Sequence, residues 1–270
     1  MNGCSNTNSD MPDKKQIIIS LTSFPEAIPF ATQAIQSILN GSVLPDKIVL
    51  YLTYSQFGEN GIPEELQNLA DSSPIFEIRN YDDDIRSYRK LVPALDDFPD
   101  AVIVTIDDDV WYDKNMLRVL LRLHNEIPDA IFAHRAKRIK TDAPYRKWKK
   151  YRWYSFVTKR IHSSFKNIQT GVGGVLYPPN ALKKEMIDPA LFKAIAPTTD
   201  DIWFWAAAVA NGTKIIPVPF GYNKPRGLKK PKNLSLKTVN FKTGTDLNSE
   251  SLKKIIKKYP IIIQRIESEK

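Results

Sequence analysis

The order of apolar runs and amphipathic segments along the chain predicts alternating strands and helices. Runs rich in β-branched residues predict strands at 16–21, 47–53, 75–79, 101–106 and 130–133. Segments with helical periodicity or helix start and stop signals lie between these strands, at 28–39, 63–69, 87–95 and 114–125. This alternation predicts an α/β fold, in which a mostly parallel central sheet is flanked by helices on both faces.

The second half of the chain has longer irregular stretches between its predicted elements. These elements are a glycine-rich stretch at 171–179, a helix at 201–210, a strand at 214–218 and a terminal helix at 249–258. No internal repeat and no low-complexity linker separates the two halves. We therefore expect one continuous domain, preceded by a disordered polar tail over residues 1–14.

Three consecutive carboxylates, Asp107, Asp108 and Asp109, follow the buried strand at 101–106. Like charges placed together are costly, so such a cluster at a strand end usually has a cation to neutralise it. Oxygen ligands suit Mg²⁺ or Mn²⁺, and phosphate-bearing ligands bind at the carboxyl ends of strands in α/β sheets. The alternative interpretation is that these residues only cap the helix that follows.

Two familiar nucleotide-binding motifs are absent from the sequence. No G-x-G-x-x-G follows the first strand, and no Walker A lysine motif occurs. The single cysteine, Cys4, excludes a disulfide framework and a Cys/His zinc site. No apolar run approaches 18 residues and no secretory signal is apparent, so we expect a cytoplasmic protein.

The net charge of +9 is concentrated in the second half of the chain. Residues 135–166 hold twelve Lys or Arg and one acid, and residues 222–245 hold seven Lys or Arg and no acid. Aromatic residues interleave with the first of these basic stretches, which is typical of membrane-interface, sugar-facing or nucleic-acid-binding surfaces. The alternative is a solubilising surface.

Four segments resemble those of GT-A fold glycosyltransferases, in particular bacterial capsule and lipopolysaccharide sugar transferases. The segments are SLTSFP at 20–25, SYRKLVPA at 87–94 with TIDDDVW at 105–111, HR at 134–135 with TGVGGVLYPP at 170–179, and PTTDDIWFW at 197–205. The resemblance covers residues 16–218 and includes the order and spacing of these segments. It implies that residues 15–135 bind a nucleotide sugar, with a UDP-sugar favoured, and that residues 136–270 bind an acceptor.

The resemblance also assigns roles to individual residues. Asp109 would hold Mn²⁺ or Mg²⁺, and Asp107 would contact the metal or a ribose. The remaining nucleotide-sugar-binding candidates are Thr22, Ser23, Lys90, Asp108, His134, Arg135, Gly173 and Gly174. Each has a plainer alternative, such as an ordinary turn for Thr22 and Ser23, a solvated lysine for Lys90, or tight packing for the glycines.

Asp201, with Asp200 as second choice, would act as the general base that takes the proton from an acceptor hydroxyl. The alternative is that Thr199, Asp200 and Asp201 only begin the helix at 201–210. Trp203 and Trp148 are candidates for stacking on an acceptor sugar, although core packing competes with that role.

The sequence thus favours a metal-dependent, inverting transferase that moves a hexose to a surface polysaccharide or lipooligosaccharide, with peripheral contact to an anionic membrane. A nucleotidyltransferase acting on sugar phosphates is one alternative. A basic nucleic-acid-binding protein is the other, although we expect no nucleic-acid partner, because that function leaves the acidic clusters unexplained.

Overall fold

The computed structural model describes residues 15–151, 162–218, 225–229 and 246–269. The predicted disordered tail at 1–14 lies outside these residues, as do residues 152–161 of the first basic stretch and most of the second. Within the described residues, no helix is long and apolar enough to cross a membrane.

A seven-stranded sheet forms the centre of the protein. Its strands are β1 (Ile17–Thr22), β2 (Lys47–Leu52), β3 (Phe76–Asn80), β4 (Val102–Thr105), β6 (Ile131–Ala133), β10 (Val175–Tyr177) and β11 (Ile215–Pro217). Their order across the sheet is β11-β6-β10-β4-β1-β2-β3. All neighbouring pairs are parallel except those of β10, which runs antiparallel to β4 and β6. The predicted α/β fold with a mostly parallel central sheet is confirmed.

Helices cover both faces of this sheet. They are α1 (Ile28–Leu39), α2 (Glu64–Ser72), α3 (Val92–Asp97), α4 (Met116–Glu126), α5 (Pro189–Ile195), α6 (Asp200–Asn211), α7 (Leu247–Lys258) and α8 (Ile261–Ser268). Alternate strand residues divide between two core clusters, with Ile18 and Ile103 in one and Ile19 and Val104 in the other. Because successive side chains of a strand point to opposite faces, each cluster fills one side of the sheet.

Two small sheets lie beside the central one. The three-stranded sheet has the order β8-β7-β9, formed by β8 (Lys149–Lys150), β7 (Ala136–Arg138) and β9 (Asn167–Gln169). The two-stranded sheet pairs β12 (Arg226–Gly227) with β5 (Val110–Trp111), directly after the acidic triplet. None of these five short strands was predicted, because two or three residues, several of them charged, carry too little alternation to be read from a sequence.

The predicted helix at 28–39 has the predicted bounds, and the other predicted elements differ from the structure by a few residues at their ends. The helical turn predicted at 87–95 is a 3-10 helix at Arg86–Lys90 followed by Val92–Asp97. Two helices, Pro189–Ile195 and Ile261–Ser268, were missed. Both are short and begin at or after a proline, so their periodicity extends over only about two turns.

Candidate functional site

The acidic triplet lies at the carboxyl end of β4, which the sheet places between β1 and β10. Its backbone and side chains are fixed by neighbouring elements. The amide N–H of Asp107 donates to the Tyr112 hydroxyl at 2.8 Å, and the Ser23 hydroxyl donates to Asp108 Oδ2 at 2.7 Å. The turn after β4 is therefore held in one geometry, while all three carboxylate side chains remain partly exposed.

Lys90 connects this turn to the start of α6. Its ammonium lies 3.1 Å from Asp107 Oδ1 and 3.0 Å from Asp200 Oδ2, and its side chain is 9% exposed. Burial lowers the pKa of Lys90, but the neighbouring charges of Asp107 and Asp200 outweigh burial and hold that pKa well above its usual value. Lys90 is therefore a fixed, buried cation between two carboxylates that are far apart in the sequence.

The 3-10 helix that carries Lys90 is anchored by an aromatic residue. The Tyr88 ring stacks on Phe192 at 4.0 Å between centroids, and its hydroxyl donates to the Ala196 carbonyl at 2.6 Å. Both partners belong to the segment that leads into α6. This packing therefore holds the backbone of Lys90 in a fixed position relative to the start of α6, where Asp200 lies.

Asp201 completes a carboxylate cluster, which we define as Asp107, Asp200 and Asp201 around Lys90. Its Oδ1 accepts a hydrogen bond from the Gly171 N–H at 3.1 Å. Burial, followed by the charge of Asp200, raises the pKa of Asp201 from 3.8 to about 7. Asp200 is buried against Lys90 whereas Asp201 is partly exposed, so Asp201 is the member better placed to exchange a proton with a ligand.

The expected helix-capping role explains this acidic pair only in part. The two carboxylates lie in the first turn of α6, where negative charge favours the helix N-terminus. The Thr199 side chain, at the N-cap position, makes no capping hydrogen bond. Helix capping alone therefore does not explain why Asp200 pairs with Lys90 and why Asp201 pairs with Gly171.

The chain passes close to the cluster at Gly171. A Cβ there would lie 2.6 Å from Asp107 Oδ1 and 2.8 Å from Lys90 Nζ, closer than real contacts allow. At Gly173 a Cβ would meet the His134 Cβ at 2.9 Å, and Gly174 has a φ of +87° beside Met116. Gly173 is thus tightly packed and Gly174 forms a bend, which agrees with the alternative interpretation that these glycines serve packing.

The two hydroxyls at the carboxyl end of β1, Thr22 in the strand and Ser23 after it, have different surroundings. Thr22 donates to the Tyr51 carbonyl at 2.9 Å, which ties it to β2. Ser23, whose hydroxyl contacts Asp108, belongs to the edge of the site.

His134 and Arg135 lie between β6 and β7. His134 is buried, and its Nε2 lies 3.3 Å from the Met116 carbonyl. Burial lowers the pKa of His134 to about 4, so the imidazole is neutral at pH 7. Arg135 is partly exposed, and its carbonyl accepts from the Thr170 N–H at 2.9 Å.

The two tryptophans predicted to stack on an acceptor are in the core. Trp203 is fully buried and donates its indole N–H to the Met186 carbonyl at 2.6 Å. Trp148 is 3% exposed and donates to the carbonyls of Lys140 and Ala143. Neither indole has an open face for a sugar, so this arrangement favours the core-packing alternative over the stacking prediction.

The acidic triplet could supply only some of the ligands that a metal ion needs, and other molecules would have to supply the rest. Among the described residues, no group of three or more His, Cys, Asp and Glu side chains could hold a metal. Asp107 already pairs with Lys90, and Asp109 is its partly exposed neighbour in the same turn. Mg²⁺ is commonly bound by one or two carboxylates, with phosphate and water completing the shell, and these residues fit that mode.

Three residues of the site carried too little sequence signal to be singled out. Tyr112 holds the acidic turn, Gln169 donates to the Asp201 carbonyl at 3.2 Å, and Lys137 lies over the Tyr145 ring at 3.3 Å. Only Lys137 had a detectable signal, because it belongs to the basic stretch. That signal did not separate it from the eleven other cations there.

Comparison with known proteins finds likeness to solved structures alone. No protein-family model and no curated protein matches the chain. A solved structure of residues 1–349 of S. aureus TarS is similar with a TM-score of 0.44 and 10% sequence identity. The alignment covers 76% of this chain and 58% of the TarS chain, so it spans a little over half of that protein fragment.

Proposed function

We propose that the protein is a glycosyltransferase that moves a hexose from a nucleotide sugar, preferably a UDP-sugar, to a glycan acceptor. One observation carries this proposal. Lys90 links Asp107 at the end of β4 to Asp200 at the start of α6, and Gly171 joins Asp201 to the same point. Three segments that resemble transferase motifs thus converge at the carboxyl edge of the sheet, and Ser23 of the fourth segment donates to Asp108 beside them. This edge is where α/β proteins bind nucleotides.

Asp201 is the proposed general base. With a pKa of about 7, a substantial fraction of this carboxylate is ionised at neutral pH and can accept a proton. The acceptor oxygen would form a bond to the anomeric carbon while the bond from that carbon to the diphosphate oxygen breaks. The hydroxyl proton would pass to Asp201, and the nucleoside diphosphate would leave.

The other cluster residues would position the reacting groups. Lys90 keeps Asp200 and Asp107 close without mutual repulsion, and Gly171 leaves room beside them. Asp109, with Asp107, would hold Mn²⁺ or Mg²⁺, which when bound would neutralise charge on the diphosphate. The proposed reaction inverts the configuration at the anomeric carbon, because direct displacement by the acceptor needs only a single base on the acceptor side.

We further propose that the acceptor is a surface polysaccharide or lipooligosaccharide, and that the enzyme works in the cytoplasm at the inner face of the membrane. The concentration of Lys and Arg at 135–166 supports this location, because basic segments with aromatic residues are attracted to anionic lipid surfaces.

Turnover of a donor panel tests the proposal. The full chain would be incubated with Mn²⁺ and UDP-hexoses, a GDP-hexose or a CMP-sugar, and the released nucleotide would be measured. We expect release from one donor class, falling about 100-fold or more in Asp201→Asn. Asp100→Asn is the matched control, because Asp100 is exposed at the opposite end of β4.

Two other results would contradict glycosyl transfer. Release of pyrophosphate from a nucleoside triphosphate and a sugar 1-phosphate, with no turnover of nucleotide sugars, would identify a nucleotidyltransferase instead. Salt-dependent binding of random DNA without turnover of any donor would favour a nucleic-acid-binding protein.

A further inference from the structure

Among the tryptophans that the structure describes, Trp111 alone is partly exposed. Trp148, Trp203 and Trp205 are each 3% exposed or less. Trp111 belongs to β5, two residues after Asp109, and it was not singled out from the sequence. Within the described residues it is therefore the tryptophan whose ring can contact a ligand.

The ribbon formed by β5 and β12 places Trp111 beside the acidic turn. Arg226 is directly opposite Trp111, and its guanidinium carbon lies 5.8 Å from the centroid of the indole ring. The pairing continues past the ribbon, where the Leu228 N–H donates to the Asp109 carbonyl at 2.8 Å. Side chains two residues apart on an extended chain share a face, as do directly opposed ones, so Asp109, Trp111 and Arg226 lie on one face.

A cleft of about 490 Å³ opens beside the indole, and we call it the Trp111 cleft. This volume is within the range of small-molecule sites, roughly 300–1,000 Å³. Among its lining side chains, Asn40 and Asp113 offer acceptor oxygens, and Lys114 and Arg226 offer N–H donors. The cleft thus combines one flat aromatic surface with a mixed polar rim.

Tyr112 joins the cleft to the acidic turn. It lines the cleft, its N–H donates to Ser37 Oγ of α1 at 3.0 Å, and its hydroxyl accepts from the Asp107 N–H at 2.8 Å. The cleft and the turn after β4 therefore keep a fixed position relative to each other.

The cleft extends away from the carboxyl edge of the sheet. It reaches Asn40 at the end of α1, a helix that begins beyond the carboxyl end of β1. At 1.5 Å per residue, the 12 residues of α1 span about 18 Å. A ligand in the cleft would therefore lie to one side of the carboxylate cluster, where a part of the acceptor remote from the reacting hydroxyl could bind.

We propose that the Trp111 cleft binds a saccharide unit of the acceptor, at least one unit away from the sugar that receives the hexose. This inference rests on the proposed function and adds the class of acceptor, which is a glycan of two or more sugars. A pyranose ring has a face of C–H groups that packs on a flat indole, and its hydroxyls both donate and accept hydrogen bonds. Trp111 supplies the flat surface, and the polar rim supplies partners of both kinds.

Saturation-transfer difference NMR of the full chain with linear tetrasaccharides of glucose, galactose, mannose or N-acetylglucosamine tests the cleft. Metal and nucleotide are omitted so that the donor site contributes nothing. We expect at least one tetrasaccharide to bind the wild type, with an affinity at least tenfold weaker in Trp111→Ala. Ile127→Ala is the control, because Ile127 is a 47% exposed apolar residue at the end of α4, outside the cleft.

Asn40→Ala keeps the test valid if Trp111→Ala disturbs β5. Asn40 is exposed at the end of α1, and its substitution should weaken tetrasaccharide binding about threefold. Binding of no tetrasaccharide by the wild type would overturn the proposal, as would equal affinity in wild type, Trp111→Ala and Asn40→Ala.

A second arm separates a saccharide from the base of the donor, which could also stack on an indole. Loss of UDP binding in Trp111→Ala, with tetrasaccharide binding unchanged, would assign the cleft to the donor and overturn the proposal. Failure of the wider function is distinguishable, because donor turnover is measured separately. Tetrasaccharide binding that depends on Trp111, without turnover of any donor, would refute the transferase and leave the saccharide site intact.

Discussion

Replacing Asp201 by asparagine should stabilise the protein at alkaline pH. Asparagine keeps the oxygen that accepts from Gly171 but removes a charge that burial and Asp200 make unfavourable. The pKa of Asp201 is raised from 3.8 to about 7, so the folded state retains a proton that the unfolded state has lost. Between these two values, the contribution of Asp201 to stability falls as the pH rises.

The magnitude follows from the two pKa values of Asp201. At about 1.4 kcal/mol per pH unit, ionising this carboxylate in the folded protein costs at most about 4 kcal/mol above pH 7. At pH 5, which lies between the two pKa values of Asp201, only part of this cost has appeared. The two pH units from 5 to 7 remain, so the advantage of Asp201→Asn over the wild type should grow by about 3 kcal/mol between pH 5 and pH 8.

Urea denaturation at pH 5 and pH 8 measures this difference in the free energy of unfolding. With a slope of about 2–3 kcal/mol per molar urea, the predicted change moves the relative midpoint by about 1 M. Asp100→Asn is exposed and should show no comparable change. A stability difference between Asp201→Asn and wild type that is independent of pH, or that shrinks at pH 8, would refute the reasoning.

Three further predictions concern the carboxylate cluster. Lys90→Met should lower the free energy of unfolding by about 3 kcal/mol at pH 8, because it leaves carboxylates without their buried cation, and the double variant with Asp200→Asn should recover part of the loss in the same urea assay. Gly171→Ala should lower the melting temperature and donor turnover together, since its Cβ would meet Lys90 Nζ at 2.8 Å, whereas Gly227→Ala has no neighbour within 4 Å and should change neither. Donor turnover should rise with pH and level off above about 7, as Asp201 loses its proton; a rate that falls across pH 6–8 would contradict the base assignment.

The sheet was predictable because its strands are strongly apolar. The β1, β2 and β4 runs are buried on both faces, so their β-branched residues carry a signal that does not depend on tertiary contacts. The antiparallel direction of β10 was not predictable, because its pairing with β4 and β6 depends on the path of the chain after β9. Three residues of strand carry no information about direction.

The site was predictable as a set of segments but not as a set of contacts. Strand-end carboxylates and glycines identify a sheet edge, and this is where Asp107 and Gly171 lie. The pairing of Lys90 with Asp200 joins residues 110 positions apart, and no local pattern encodes it. Trp203 illustrates the opposite error. Its position next to the proposed base suggested contact with a sugar, but the packing of α6 buries it in the core.

Nucleotide binding is the most direct test of the proposed donor site. Thermal unfolding would be followed with UDP, GDP, CMP and ADP, each with and without Mn²⁺, for the wild type, Asp109→Ala and the control Asp100→Ala. Ligand at a hundred times its Kd should add roughly 2.7 kcal/mol of stability. We predict that one nucleotide, UDP foremost, stabilises the wild type and the control only with Mn²⁺, and that Asp109→Ala loses this effect. Stabilisation by no nucleotide, or stabilisation that Asp109→Ala retains in full, would contradict a metal-dependent nucleotide-sugar site at the end of β4.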